Sequence, residues 1–163
     1  MSVRRVAVTG MGLLSPVGND IESAWLNICE GRSGIGPITD MDARGFPTRI
    51  AGEIRDFDVS DYLAARDARR MDRFIHYGIA ASVDALNDSG LEVTENNRDR
   101  IGVAMGAGIG GLDTIENNHN KMLAGGVRKV SPFFIPGSLI NMISGNVSIM
   151  YGMTGPNLSI VSA

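Results

Sequence analysis

The order of residues predicts an α/β fold, a sheet whose strands are joined by helical crossovers. Two observations carry that expectation. Short apolar runs meet glycine-rich turns: residues 5–9 run into Gly10-Met11-Gly12, residues 101–105 run into 106–111, and Gly155-Pro156 opens the run holding Leu158, Ile160 and Val161. Between these runs, apolar residues recur at helical spacing, which gives the order strand, helix, strand, helix, helix, strand. A hydrophobic content of 44% over 163 residues is enough for one domain with a substantial core.

Residues 5–9 read as the first strand. Asn19, with Glu22 three residues on, reads as a variant capping box for a helix that places Ala24, Trp25, Ile28 and Cys29 on one buried face. Gly31 stops that helix. Residues 33–47 lack periodicity and read as loop, and 50–54 as a short edge strand. Ser60 is placed to cap a short helix over 61–65.

A long helix over 71–88 buries Met71, Phe74, Ile75, Ile79 and Leu86, with Gly90 just past its end. Residues 92–100 read as polar linker and 101–105 as a second strand. Leu112, Ile115, Met122 and Leu123 mark another helix, ended by Gly125-Gly126. The two prolines in 131–136 point to extended backbone. The last helix, over 138–151, carries no charge and is expected to be buried on most sides. A buried strand through Leu158, Ile160 and Val161 closes the chain.

The composition removes several function classes. A net charge of −3 lacks the basic surplus of a nucleic-acid binder. No apolar run approaches the ~18 residues of a membrane span. Cys29 is the single cysteine, so no internal disulfide or multi-cysteine metal site can form, and a reducing, cytoplasmic setting fits. No cofactor or metal is expected.

The stretch 106–111, Gly-Ala-Gly-Ile-Gly-Gly, matches a dinucleotide fingerprint. The acidic residue that a fingerprint needs ~20 positions on, at the end of a second strand, is missing, which argues against nucleotide binding. Two readings remain: glycines allowing a tight turn, or a loop that floors a pocket with Ile109 projecting into it. His76 and His119 lack a nucleophile or base at a recognisable spacing and read as structural or solvated, and Cys29 as an inert buried thiol. Arg66, Arg69, Arg70 and Arg73 would share one face of a continuous helix, and Arg128-Lys129 adds a second basic spot. Such a face is either simply solvated or a dock for an acidic partner.

Several segments together resemble one family. Arg4-Arg5-Val6-Ala7-Val8-Thr9-Gly10 with Ser15-Pro16-Val17-Gly18-Asn19 is similar to the start of the β-ketoacyl-(acyl-carrier-protein) synthases. Arg70-Met71-Asp72-Arg73-Phe74, the 106–111 loop, Ser131-Pro132-Phe133-Phe134-Ile135-Pro136 and Ile149-Met150-Tyr151-Gly152 resemble its type II, elongating branch. The resemblance implies a thiolase-like α/β fold, of which residues 1–163 are the N-terminal half of a five-layer α-β-α-β-α enzyme. It ends the chain just before the nucleophilic cysteine and leaves the catalytic histidines and a lysine to a C-terminal half. No catalytic side chain is then expected within this chain.

The reaction implied is fatty-acid elongation, a decarboxylative Claisen condensation of an acyl-enzyme with malonyl-(acyl-carrier-protein). The implied partners are acyl carrier protein, fatty acyl and malonyl thioesters, and a second copy in a homodimer, with no nucleic acid and no membrane. By the same resemblance, Gly108, Ile109, Phe134 and Ile135 belong to the acyl pocket. Arg66, Arg69, Arg70, Arg128 and Lys129 receive the carrier protein, and Ser159, Ile160 and Val161 lie at the dimer interface. Two other readings stay open: another thiolase-fold acyltransferase such as a polyketide ketosynthase, or a stand-alone Rossmann-like module. Alone, the chain is expected to expose a large apolar patch and to aggregate.

Overall fold

A computed structural model describes residues 4–162. The chain divides into two compact units, Met1–Asp58 with Val83–Gly90, and Val59–Ser82 with Leu91–Ala163.

In the first unit the predicted opening strand does not form. No described residue pairs with 5–9 in a ladder, and Val6 is 93% exposed. Strand propensity alone makes no strand where the backbone has no neighbour to bond. The first helix, α1, is Ile21–Cys29, capped by Asp20 rather than Asn19. Asp20 Oδ1 accepts the Ser23 N–H at 2.7 Å and Oδ2 accepts the Ser23 hydroxyl at 2.7 Å. The Ser23 hydroxyl and amide together hold the Asp20 carboxyl below the usual aspartate range. The Asn19 amide instead donates to the Arg55 carbonyl at 2.6 Å, so the cap falls one residue later.

The buried stripe of α1 is one residue wide. Ala24 is buried, whereas Trp25 is 66% exposed and the Cys29 thiol is free and exposed, not buried as its apolar neighbours suggested. Gly31 ends the helix at φ +69°, where a Cβ would be strained. Strand β1, Ile35–Pro37, lies inside the segment expected to be loop. Three residues containing Gly and Pro show no alternation, and what makes the strand is antiparallel pairing with β2, Ile50–Gly52. Beyond β1, Glu53 accepts the Thr39 hydroxyl at 2.7 Å and the Thr39 N–H at 2.9 Å. It also accepts the Asp40 N–H at 3.1 Å. The Thr39 hydroxyl is the largest of the causes that lower the Glu53 carboxyl.

The second unit begins with a single 3-10 turn at Val59–Asp61, where a helix over 61–65 was expected. Helix α2 is Ala65–Ala68, and α3 is Arg73–Ser89, whose residues from Val83 on belong to the first unit. The break between them means that Arg66, Arg69, Arg70 and Arg73 do not line one continuous helical face. Within α3, Ile75, Ile79 and Ala80 are fully buried. Gly78 sits against the Ile143 side chain with no room for a Cβ, so a mid-helix glycine is retained despite its ~1 kcal/mol propensity cost. Strand β3, Val103–Gly106, pairs in parallel with β4, Asn157–Ile160, in the register Val103↔Asn157 to Gly106↔Ile160.

Helix α4 is Leu112–Gly125, ended by Gly126 at φ +76°. The segment 131–136 is not extended: Phe134–Ser138 forms a short helix, α5. Pro136 is its third residue, a first-turn position whose N–H would have no helical partner, so the proline costs little. Helix α6, Met142–Tyr151, starts later than the expected 138 because Leu139 is extended. It buries Ile143, Ser144 and Val147 on one face only, and Ile149 on another face is 77% exposed. Strand β4 likewise leaves Leu158 and Ile160 exposed, so neither element is enclosed within this chain.

Candidate functional site

The glycine-rich loop 106–111 carries the chain from β3 to α4. Gly111 donates its N–H to the Ser138 carbonyl at 3.1 Å, and a Cβ on Gly111 would stand 2.8 Å from Ser138 Cα. Gly110, at φ +95°, makes the same close approach, 2.8 Å from its Cβ position to the Ser138 oxygen. These glycines exist because two backbones touch here.

Their contact brings Ile109 into an apolar hollow of about 370 Å³, lined also by Ile115, Leu139, Ile140, Ser159 and Val161. Of the residues singled out in the sequence, Ile109, Ser159 and Val161 thus converge. Gly108 is exposed beside them with open space around it. Phe134 and Ile135 lie on α5 outside this hollow, half-buried and exposed respectively, and Ile160 is exposed.

A polar network fixes β4 behind the hollow. Ser144 on α6 is fully buried, with Oγ 2.8 Å from Asn157 Oδ1 and 3.1 Å from the Asn141 carbonyl. It can donate to one of them and accept from Ser159 Oγ at 3.2 Å. Asn157 Nδ2 donates back to the Ser144 carbonyl at 2.9 Å and to Ser148 Oγ at 2.7 Å. Ser144→Ala leaves these acceptors short of a donor and is expected to destabilise by about 1–3 kcal/mol. Denaturant unfolding of the full-length protein checks this, and a change below a few tenths would contradict it.

The basic positions Arg66, Arg69, Arg70, Arg128 and Lys129 are all exposed. Arg70 stacks over the Phe133 ring at 4.6 Å, and Asp67 lies 3.4 Å from Arg66 and 3.7 Å from Arg70. Lys129 is four residues before Phe133, so its Cα stands within about 14 Å of the Phe133 Cα. Phe133, on which Arg70 stacks, thus ties the first basic segment to the chain just after the second. Beside Arg70 and Phe133 opens a second hollow of about 350 Å³, walled by Leu63, Met71, Pro136 and Met142 among others.

Besides Ser138 and Ser144, the buried polar residues Asn118 and Asp72 were given no site role in the sequence. Asn118 is 5% exposed and its Oδ1 accepts the Ser131 N–H at 2.8 Å, anchoring the strap that leads to Phe133. Asp72 accepts the Thr114 N–H at 2.8 Å. No local pattern marks either, because the partner is remote in sequence.

The histidines play no part in the hollow. His76 Nε2 bonds the Ala68 carbonyl at 2.9 Å, a structural role, and His119 is exposed. Among the described residues no group of three His, Cys, Asp or Glu is arranged to hold a metal, and no helix is long and apolar enough to cross a membrane.

Residues 3–163 match the family model described as beta-ketoacyl synthase, N-terminal domain. The chain is 58% identical, over all 163 residues, to the 3-oxoacyl-[acyl-carrier-protein] synthase 2 of Vibrio harveyi. It spans 39% of the length of that relative. Among solved structures it is similar to the ishigamide ketosynthase/chain length factor, with a TM-score of 0.85 and 27% identity over 98% of this chain and 40% of that one. It is also similar to a chain of a type II PKS acyl-carrier protein in complex with its ketosynthase bound to the hexaketide, at TM-score 0.71 and 25% identity, covering 90% of this chain and 38% of that one. The expected thiolase-like α/β fold therefore holds, and the chain belongs to the family of beta-ketoacyl synthase N-terminal domains.

Proposed function

We propose that this chain is the N-terminal half of an enzyme that lengthens fatty acyl chains by decarboxylative Claisen condensation. The observation that carries this is the 58% identity, along the whole chain, to a 3-oxoacyl-[acyl-carrier-protein] synthase 2. In the reaction, a cysteine thiolate displaces the carrier thiol from an acyl thioester. Malonyl-carrier protein then loses CO2, and the electron pair left on carbon attacks the acyl carbonyl. The cysteine thiolate leaves, and the product is two carbons longer. On this reading the cysteine directly follows Ala163, and the proton-handling groups lie in the C-terminal half.

The residues of this chain bind and position. Ile109 walls the acyl pocket with Gly108, and Phe134 and Ile135 reach toward the pocket of a second copy in a homodimer. Ser159, Ile160 and Val161 pair at that dimer's interface, and the exposure of Ile160 and Val161 here supports that role. The polyketide reading rests on 25–27% identity to ketosynthase structures, well below the identity to the fatty-acid relative. A cytoplasmic enzyme without cofactor or metal fits the single exposed thiol.

The test is a condensation assay on the full-length protein with acyl- and malonyl-carrier protein, detecting the 3-oxoacyl product by mass. Absence of that product with every acyl length tried would end the reading. Ile109→Trp is expected to cut kcat/KM for long acyl chains on the order of 100-fold while sparing two-carbon acyl groups. Equal losses at all lengths would remove Ile109 from the pocket wall.

Acyl carrier protein is acidic on this reading and docks on Arg66, Arg69, Arg70, Arg128 and Lys129. The double variant Arg69→Glu, Arg128→Glu is expected to raise KM for carrier-bound substrate about tenfold, less so at high salt. It should leave turnover of a small thioester unchanged. A salt-independent loss shared by both substrates would contradict docking there.

A further inference from the structure

We propose that Asp72 is a positioning residue that fixes where Ile109 stands, and so governs which acyl-chain lengths the pocket accepts; this rests on the acyl-pocket reading above. Asp72 lies in the break between α2 and α3 and is 7% exposed. Its own N–H donates to the Gly137 carbonyl at 3.0 Å. Its Oδ2 accepts the N–H of Thr114, in the first turn of α4, at 2.8 Å.

Helix α4 needs that acceptor. Its N-cap is Gly111, which has no side chain to offer. Asp72 thus caps α4 from 42 residues away, and its carboxylate sits where a helix N-terminus favours negative charge. Next to it, the Arg73 guanidinium lies 3.6 Å from Asp113, an exposed pair that adds little.

The same carboxylate occupies the space a side chain on Gly111 would need. Asp72 Oδ2 would be 2.9 Å, and its Cβ 3.1 Å, from a Cβ placed on Gly111. On its other side Gly111 bonds the Ser138 carbonyl. Gly111 is thereby held between Asp72 and Ser138, and Ile109 is two residues upstream. Leu139 and Ile140, which line the same hollow as Ile109, follow directly after Ser138. Asp72 therefore ties the segments carrying Ile109 and Leu139-Ile140 to one point, and a hollow with fixed walls discriminates by length where a loose one does not.

The experiment compares Asp72→Ala and Asp72→Asn in the full-length enzyme. It measures kcat and KM for acyl-carrier proteins of short and long acyl chain. Asn keeps a carbonyl acceptor for Thr114 and is expected to stay within about threefold of wild type at every length, whereas Ala shifts the long-to-short ratio of kcat/KM by about tenfold. Losses shared equally by all lengths, or no change, would make Asp72 a purely structural cap and overturn the proposal. Should Asp72→Ala fail to fold, Asp72→Glu, which displaces the carboxylate by one methylene, is held to the same criterion. A wild-type enzyme inactive on every length sinks the reading of the activity. An active one with an unaltered length profile in the variants sinks only the role of Asp72.

Discussion

Gly155→Ala in the full-length protein is expected to cost about 3 kcal/mol and to reduce condensation sharply. A Cβ at Gly155 would stand 2.5 Å from the Ile101 oxygen and 2.7 Å from its carbonyl carbon, with the Gly102 nitrogen at 3.0 Å. All three are backbone atoms, so no rotamer change can relieve the overlap. The Gly155 N–H also donates toward the Arg98 and Ile101 carbonyls, both at 3.2 Å, just before Val103 N–H meets the Pro156 carbonyl at 2.9 Å. Pushing these strands apart loosens the first rung of the β3–β4 ladder and moves β4, which walls the hollow. Gly45→Ala is the control, since nothing lies within 4 Å of its Cβ position and its φ is not positive. Equal midpoints for the two variants in denaturant unfolding would contradict the argument.

Ile75→Ala is the second large effect, a loss of about 2–5 kcal/mol. Ile75 and Ile79 are both 0% exposed, and Gly78 between them admits Ile143 from α6. The site cannot collapse easily, because α3 and α6 already meet backbone to side chain at Gly78. The cavity contribution should therefore approach the upper part of that range. A fall in denaturant midpoint with an unchanged slope checks it, and a loss under 1 kcal/mol would show that α6 moves in to fill the space.

Elements with a strong local period were legible in the sequence, and those made by a distant partner were not. Ile75 and Ile79 announce α3 through helical spacing, and Gly90 and Gly126 mark helix ends by their positive φ. Strand β1 is invisible because Ile35, Gly36 and Pro37 become a strand only by pairing with 50–52. Residues 5–9 have strand composition and no ladder partner among the described residues, which is the converse error. At the candidate site, Ile109 was legible through its glycine neighbours. Asp72 and Asn118 were not, since each bonds a backbone amide 42 or 13 residues away. The arginine cluster misled because spacing at i, i+3, i+4 and i+7 presumes a helix that breaks between Ala68 and Arg73. The exposure of Leu158, Ile160 and Ile149 agrees with an apolar patch in the chain alone.

The parallel pairing of β3 with β4 also sets the order in which this chain can fold during synthesis. Roughly 50 residues separate Val103 from Asn157, so at ribosomal speeds of ~5–20 residues per second the bonding edge of β3 waits about 3–10 seconds for its partner. Through that interval α4 and α5 are already made, and the clamp at Ser138 can close before the ladder does. The waiting edge is the natural target of a holdase chaperone or of a neighbouring nascent chain. Slower translation between residues 106 and 157 should therefore lower the soluble yield more than the same delay placed after β4.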